Sequence, residues 1–454
     1  MDGLTDAGPS CNLSYVDRLA LLHDHRAAWG MLHWKDKKTI PFHGSCQAYE
    51  LVGGVFAKTM SSMHFDATVL PTSLDPDYHM ISMNLKLPVR DFVIDPTQDL
   101  LVLVEAGIVG RPSSDMRIHL RDMSNNTTHP EASQPTLVIP NIQSSASNSF
   151  ISVVDDVVGV YAYELGPRLI IWNWKTGVTL VDCSSDMLPP QTWDFTFLSA
   201  RAFMVTSVNI PGRMHVFSFT STPGKPKCCA VLHLPPLQQD VELDYLATHT
   251  APFHAYCPRG VPFTTSRESR IHVLSMQYVS REGTHPRFIL FLHNRTLLRY
   301  VDSPLCEEEV DIPWDAWGPR QSRFLTQHAP FEWLRYAHGQ RVICPPTRLT
   351  ENRGTLVQLL DFNVHPEWPD TFERVAAEAA LDKGLRYRLV LEESIIYKEQ
   401  IFVDDFSTSL PYRVLGRMVK SHYSGFMIDE QRILGLNSTA FSEADMKEID
   451  VFMF

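Results

Sequence analysis

Apolar and polar positions alternate in short runs through most of the chain, most clearly in Pro167–Cys183, PRLIIWNWKTGVTLVDC. Leu169, Ile171 and Asn173 alternate against Ile170, Trp172 and Trp174; Lys175-Thr176-Gly177 turns the chain, and Val178, Leu180 and Val181 run back. Period-two alternation of β-branched and aromatic residues predicts two half-buried strands, with the glycine supplying a positive φ at the turn. The hairpin recurs. Phe92, Ile94, Asp95 and Leu100 fall on Phe426, Ile428, Asp429 and Leu434 with the same spacing, and looser copies begin at Phe150 and Trp193. A second hairpin follows in the middle units: Met116–Asp122 into Leu137–Pro140, Pro167–Cys183, and Arg213–Thr220 into Cys229–Pro235. Four strands per unit, at a period of about 40–50 residues, predict blades that must stack on neighbours to bury their faces.

The predicted fold is therefore all-β: a degenerate WD-type β-propeller of six or seven four-stranded blades over residues 40–454. Residues 1–12 read as a disordered lead-in and residues 13–35 as a helical segment. Ser14 and Asp17 are placed to cap a helix over Tyr15–Trp29, with Tyr15, Val16, Leu19, Leu22 and Trp29 on its packing face. Lys35–Lys38 reads as a charged turn. Ala48–Met60 and His64–Pro71 are two strands, expected to join C-terminal strands in one blade built from both chain ends, which would leave no open sheet edge. The apolar end Val451–Phe454 is expected inside that blade. Arg287–Val301 reads as a hairpin turning at Asn294-Arg295. Trp314–Phe406 reads as an irregular blade containing a helix over Asp370–Gly384, and a seventh blade is expected only if that stretch divides in two. Trp172 and Trp174 are expected on opposite faces of their strand.

Composition narrows the function. The 454 residues are 44% apolar and carry a net charge of −12, which suits a packed core and argues against a nucleic-acid footprint. No apolar run is long enough to span a bilayer, and MDGLTDAGPSCNLS has neither the basic nor the apolar part of a secretory signal. Eight scattered cysteines then read as reduced thiols in the cytoplasm or nucleus. Nucleophile elbows, phosphate loops, dinucleotide fingerprints and paired metal-ligand spacings do not occur, so no catalytic, cofactor-binding or metal-binding residue is predicted. Asp155-Asp156, Asp404-Asp405 and Glu307-Glu308-Glu309 leave a carboxylate-dependent propeller hydrolase as an alternative. Asp95, Asp155 and Asp429 occupy equivalent turns and are expected to cap their own backbone. For recognition, the candidates are Trp314, Trp317, Arg320, Arg323, Trp333 and Arg335, because clustered aromatics and arginines dominate interface energies; the competing reading is packing material for an irregular blade.

The run Leu13–Met60, with its Arg18-Leu-Ala-Leu-Leu helix, Ala28-Trp29 and Trp34, and Tyr49-Glu-Leu strand, together with Arg90–Glu105, resembles a large family of mushroom-type fungal F-box proteins. The resemblance covers about the first quarter and is diffuse beyond it. It implies the substrate-recognition part of a cullin-type ubiquitin ligase subunit: a non-enzymatic, propeller-like module that binds a protein target. In that family an F-box precedes this part and docks on the ligase adaptor. No Leu-Pro-x-Glu opening stands before residue 13, so no F-box residue carries over. Either the gene model is truncated or this member has lost the adaptor-binding part, and an adaptor is an expected partner only with an upstream F-box.

Overall fold

The computed structural model describes residues 3–6, 13–61, 63–107, 115–142, 148–163, 166–258, 262–302, 309–349, 354–364, 377, 380–440 and 446–454. Seven sheets stand around a central channel, antiparallel except where Val310–Ile312 adds in parallel to the outside of the fourth, and the innermost strand of each neighbours the innermost strands of adjoining blades. The innermost strands are Ala48–Val52, Val89–Asp95, Asn148–Val154, Thr192–Ser199, Glu242–His249, Ala337–His338 and Gly425–Ile428. The strands next to them, Leu100–Glu105 and Ala202–Ser207 for instance, are buried on both faces, because each sheet is sandwiched between two others. Val102, Leu103, Met204 and Val205 are fully buried for that reason. The protein is a seven-bladed β-propeller.

The ring closes through both chain ends, with a different partner from the expected one. Asp36–Pro41 is the outer strand of the seventh blade, antiparallel to Glu448–Met453 with Ile40 opposite Ile449. The stretch expected to be a charged turn is thus a strand. Its lysines lie on a sheet edge, where charge discourages pairing with another chain. Lys37 and Thr39 both bind Asp450, at 2.7 and 2.6 Å. Freed from that role, Ala48–Val52, Val55–Ser61 and His64–Val69 combine with His79–Asn84 into a complete first blade. This blade supplies the count of seven; Trp314–Phe406 does not divide into two blades.

Instead, Ser322–Thr326 completes the fifth blade and Trp314–Gln321 is a helix, while the sixth blade inserts Tyr412–Val419 between Gly354–Asp361 and Leu385–Val390. Arg287–His293 is a strand, but Asn294 begins a helix rather than a turn. Its buried amide donates to the carbonyls of Leu198 and Arg267, at 2.8 and 2.9 Å, which pins the helix start between blades. Most of the helix expected over Asp370–Gly384 lies outside the described residues. Trp172 and Trp174 share one buried cluster rather than opposite faces, Trp172 on the strand Pro167–Asn173 and Trp174 in the turn that follows it.

The helix Tyr15–Gly30 forms with Ser14 as its cap. Only its second half docks: Trp29 stacks on Phe454 at 3.8 Å, while Tyr15, Val16 and Leu19 face solvent. The packing face read from the sequence was therefore shifted towards the wrong end. Within the supposed lead-in, Leu4–Asp6 is a strand paired with Phe263–Thr265. Among the described residues no helix is long and apolar enough to cross a membrane. Among the described residues no disulfide joins any of the six cysteines.

Candidate functional site

The six residues predicted for recognition do not form one surface. Trp314 and Trp317 are buried edge to face at 5.1 Å, and Trp317 donates to the His233 carbonyl at 3.0 Å. Arg323 is fully buried; it donates to the carbonyls of Leu410 and Glu392 and to the Ser394 hydroxyl, at 2.8, 2.9 and 2.8 Å. Trp333 is buried against Tyr49 in another cluster, at 4.7 Å. Arg320 is exposed on its helix. Five of the six thus lie away from any shared cleft, and four of those are packing material, since an irregular stretch needs bulk to seal against regular neighbours. Arg335 alone reaches the central channel, in a left-handed conformation (φ 66°), with its Nε 2.9 Å from Glu50.

The channel holds a cavity of about 900 Å³ lined by six blades. One end is capped by residues 251–258 and 262–270, from an insertion in the fifth blade. The Ala255 amide donates to Asp95 at 2.9 Å, Arg267 pairs with Asp155 at 2.6 Å, and the Thr265 amide donates to Glu430 at 2.6 Å. Those three carboxylates stand at inner hairpin turns of the second, third and seventh blades, so the cap is strapped across the ring. Asp95 and Asp429 also cap their own turns, at Thr97 and Gln431, as expected; Asp155 is spent on Arg267 instead. Burial would raise Glu430, but His338 and His254 beside it hold it well below the usual range.

The other end is open, and aromatic side chains gather there. Phe150, Tyr163 and Trp193 line the cavity at 45, 49 and 38% exposure, with Tyr161 and Tyr245 beneath them. Local backbone geometry aims this rim. The inner strands of the second, fourth and fifth blades each slip register near their start, at Val89/Asp91, Thr192/Asp194 and Leu243/Tyr245. Each slip is a bulge that puts one extra residue (Arg90, Trp193, Asp244) at the mouth, and bulges re-aim side chains in this way at barrel rims. The bulge was missed from the sequence. The repeated Asp-Phe pair that follows it, Asp91-Phe92 and Asp194-Phe195, was its one visible trace.

Three carboxyl groups line the cavity. Burial raises Glu50, which Arg335 opposes, and raises Asp91, which the Phe92 amide and Arg90 oppose. Burial pushes Asp194 up to about 7, although the amides of Thr248 and Phe195 donate to it at 2.6 and 2.7 Å. Burial also lowers His249 to about 4, so the ring is neutral in the channel wall. The linkage for Asp194 has a definite sign. The folded protein binds a proton that the unfolded chain has released, so its contribution is largest below pH 4 and is lost as pH rises to 7. At 1.36 kcal/mol per pKa unit, the loss is about 4 kcal/mol. Asp194→Asn is expected to lack this slope: in urea denaturation, the stability of the variant relative to wild type rises between pH 5 and 8. Parallel pH profiles for the two proteins would remove the buried charge from the account.

Fold and site together define a seven-bladed propeller capped at one end of its channel and open, with an aromatic rim, at the other. No protein-family model matches the chain, and no curated protein matches it. Among solved structures the chain is similar to the WD40 domain of SCAP from fission yeast, at 8% identity and a TM-score of 0.37, over 90% of this chain and 82% of that one. Sqt1 from Chaetomium thermophilum is similar at 10% identity and a TM-score of 0.37, over 90% and 83%. The C-terminal WD40 domain of Sif2 is similar at 8% identity and a TM-score of 0.32, over 93% and 99%. Similarity at this level carries no functional argument; the fold rests on the strand pairing itself.

Proposed function

We propose that the chain is a non-enzymatic protein-interaction module that receives its target at the open mouth of the channel. One observation carries this reading: the end left uncovered by the cap is the end where two successive blades, the third and fourth, expose Phe150, Tyr163 and Trp193 around a cavity. Exposed aromatics at a concave rim are the side chains that anchor interfaces. The finer reading is presentation of that target to a cullin-type ubiquitin ligase, and it is supported by the resemblance of Leu13–Met60 and Arg90–Glu105 to fungal F-box proteins. A hydrolase reading has one observation in its favour, the three raised carboxyl groups in one cavity. Their oxygens are engaged by Arg335, by the Phe92 amide, and by the Phe195 and Thr248 amides. That engagement makes them supports of the wall rather than acids poised for transfer.

Phe150→Ser with Tyr163→Ser alters only exposed side chains, so the double variant is expected to melt as wild type does. Proteins captured by the immobilised wild-type chain are expected to fall about tenfold on the variant. Equal capture by both would place the target elsewhere. Co-purification of a ligase adaptor with the chain extended upstream in its reading frame tests the finer reading, and its absence there would end that reading.

A further inference from the structure

The two halves of the mouth differ in charge balance. On the side of the sixth, first and second blades each cation has a carboxylate beside it: Arg335 pairs with Glu50, and Arg90 neighbours Asp91. On the side of the third, fourth and fifth blades stand Phe150, Tyr161, Tyr163, Trp193 and Tyr245, with the buried Asp194 among them. Among the described residues no lysine, arginine or histidine pairs with Asp194; two backbone amides are its donors. The Trp193 and Tyr245 rings meet edge to face with centroids 5.6 Å apart. The hydroxyl of Thr248, whose amide serves Asp194, is buried without a hydrogen-bond partner.

A buried carboxylate without a counter-ion is costly, and an incoming cation removes that cost. Aromatic faces stabilise the same cation through their quadrupoles. An unpartnered hydroxyl beside the carboxylate offers an ammonium or guanidinium a further acceptor. An anionic ligand would meet three carboxyl groups here, and a neutral one would leave Asp194 uncompensated. We propose that the aromatic half of the mouth takes a lysine or arginine side chain from an extended segment of a protein partner, with Asp194 as its counter-charge. A second cavity of about 410 Å³ shares Trp193, Tyr245, His249 and Leu334 with the channel. It continues between the fifth and sixth blades, giving the flanking chain of such a segment a groove to follow.

This inference rests on the mouth being the target face, and its test separates the two. A random heptapeptide library displayed on phage is selected on the full chain and counter-selected on Trp193→Ala. Peptides that depend on Trp193 are expected to share one lysine or arginine. Replacing that residue by norleucine is expected to weaken binding to the wild-type chain about tenfold or more in calorimetric titration. Asp194→Asn, checked for an unchanged far-UV spectrum, is expected to weaken the cationic peptide by a similar factor and to leave the norleucine peptide unchanged. Lysine and arginine versions of one peptide show which cation fits better. Trp193-dependent peptides that tolerate norleucine would overturn the cation while leaving the mouth as the binding face. Selection of no Trp193-dependent peptide would overturn both.

Discussion

Deleting Glu448–Phe454 is expected to abolish cooperative folding of the whole ring. The strand Glu448–Met453 lies between Arg432–Leu436 and Asp36–Pro41 and hydrogen-bonds to both. Ile449, Val451, Phe452, Met453 and Phe454 are all buried. At roughly 1.5–3 kcal/mol for each buried apolar side chain, the deletion forfeits about 8–15 kcal/mol, as much as the whole stability of a typical domain. It also leaves two unpaired strand edges, a template for association. Circular dichroism should show no cooperative melt, and limited proteolysis should reach blades far from the seam. A truncated chain melting cooperatively near the wild-type temperature would show that the ring does not depend on its closure.

Asp361→Ala is expected to destabilise the sixth blade by about 3–5 kcal/mol, the usual cost of stripping one partner from a buried ion pair. Asp361 is fully buried, 2.6 Å from Arg413 and 3.7 Å from Arg341, and accepts the Asn363 amide at 2.9 Å. Burial alone would raise its carboxyl, but the two arginines hold it below the usual range. Its stabilising contribution is therefore present above the unfolded pKa near 4 and is lost as pH falls through the lower folded value. Removing the carboxylate leaves two guanidinium groups facing each other in the core. For a chain of this length the expected loss corresponds to a melting temperature lower by about 3–5 °C. The deficit should narrow as pH falls below the unfolded value near 4, where the carboxylate's contribution is progressively lost. A variant melting within a degree of wild type at pH 7 would show that the pair contributes nothing net.

Cap and mouth together give the ring a direction. Asp95, Asp155 and Glu430 belong to different blades yet hold one insertion, so loosening the cap requires strain at three places in the ring. The wall beneath the mouth is correspondingly fixed: Tyr161 reaches from the third blade to the Thr192 carbonyl of the fourth at 2.8 Å. A target that enters the channel therefore meets a preformed surface, which lowers the ordering cost of binding.

Local pattern was informative where the interaction is local. The hairpin read in Pro167–Cys183 is present as Pro167–Asn173 and Val178–Cys183, with Gly177 at φ 71° as the turn required. Closure by both chain ends was legible because an apolar terminus must find cover. The identity of its partner strand was not, because Asp36–Pro41 shows a run of charge where an outer-edge strand needs little apolar patterning. The recognition residues failed for a related reason. Tryptophan and arginine serve interiors and interfaces alike, and only burial separates the buried Trp314 and Arg323 from the exposed Trp193.

By itself, the sequence determined the repeating four-strand unit, the ring it implies and the meeting of the chain ends, because period-two alternation and turn chemistry act between near neighbours. The mouth, its bulges, the carboxylate without a counter-ion and the cap were decided by tertiary structure alone. They arise from contacts such as Ala255 with Asp95 and Thr265 with Glu430, between residues whose separation along the chain carries no local pattern.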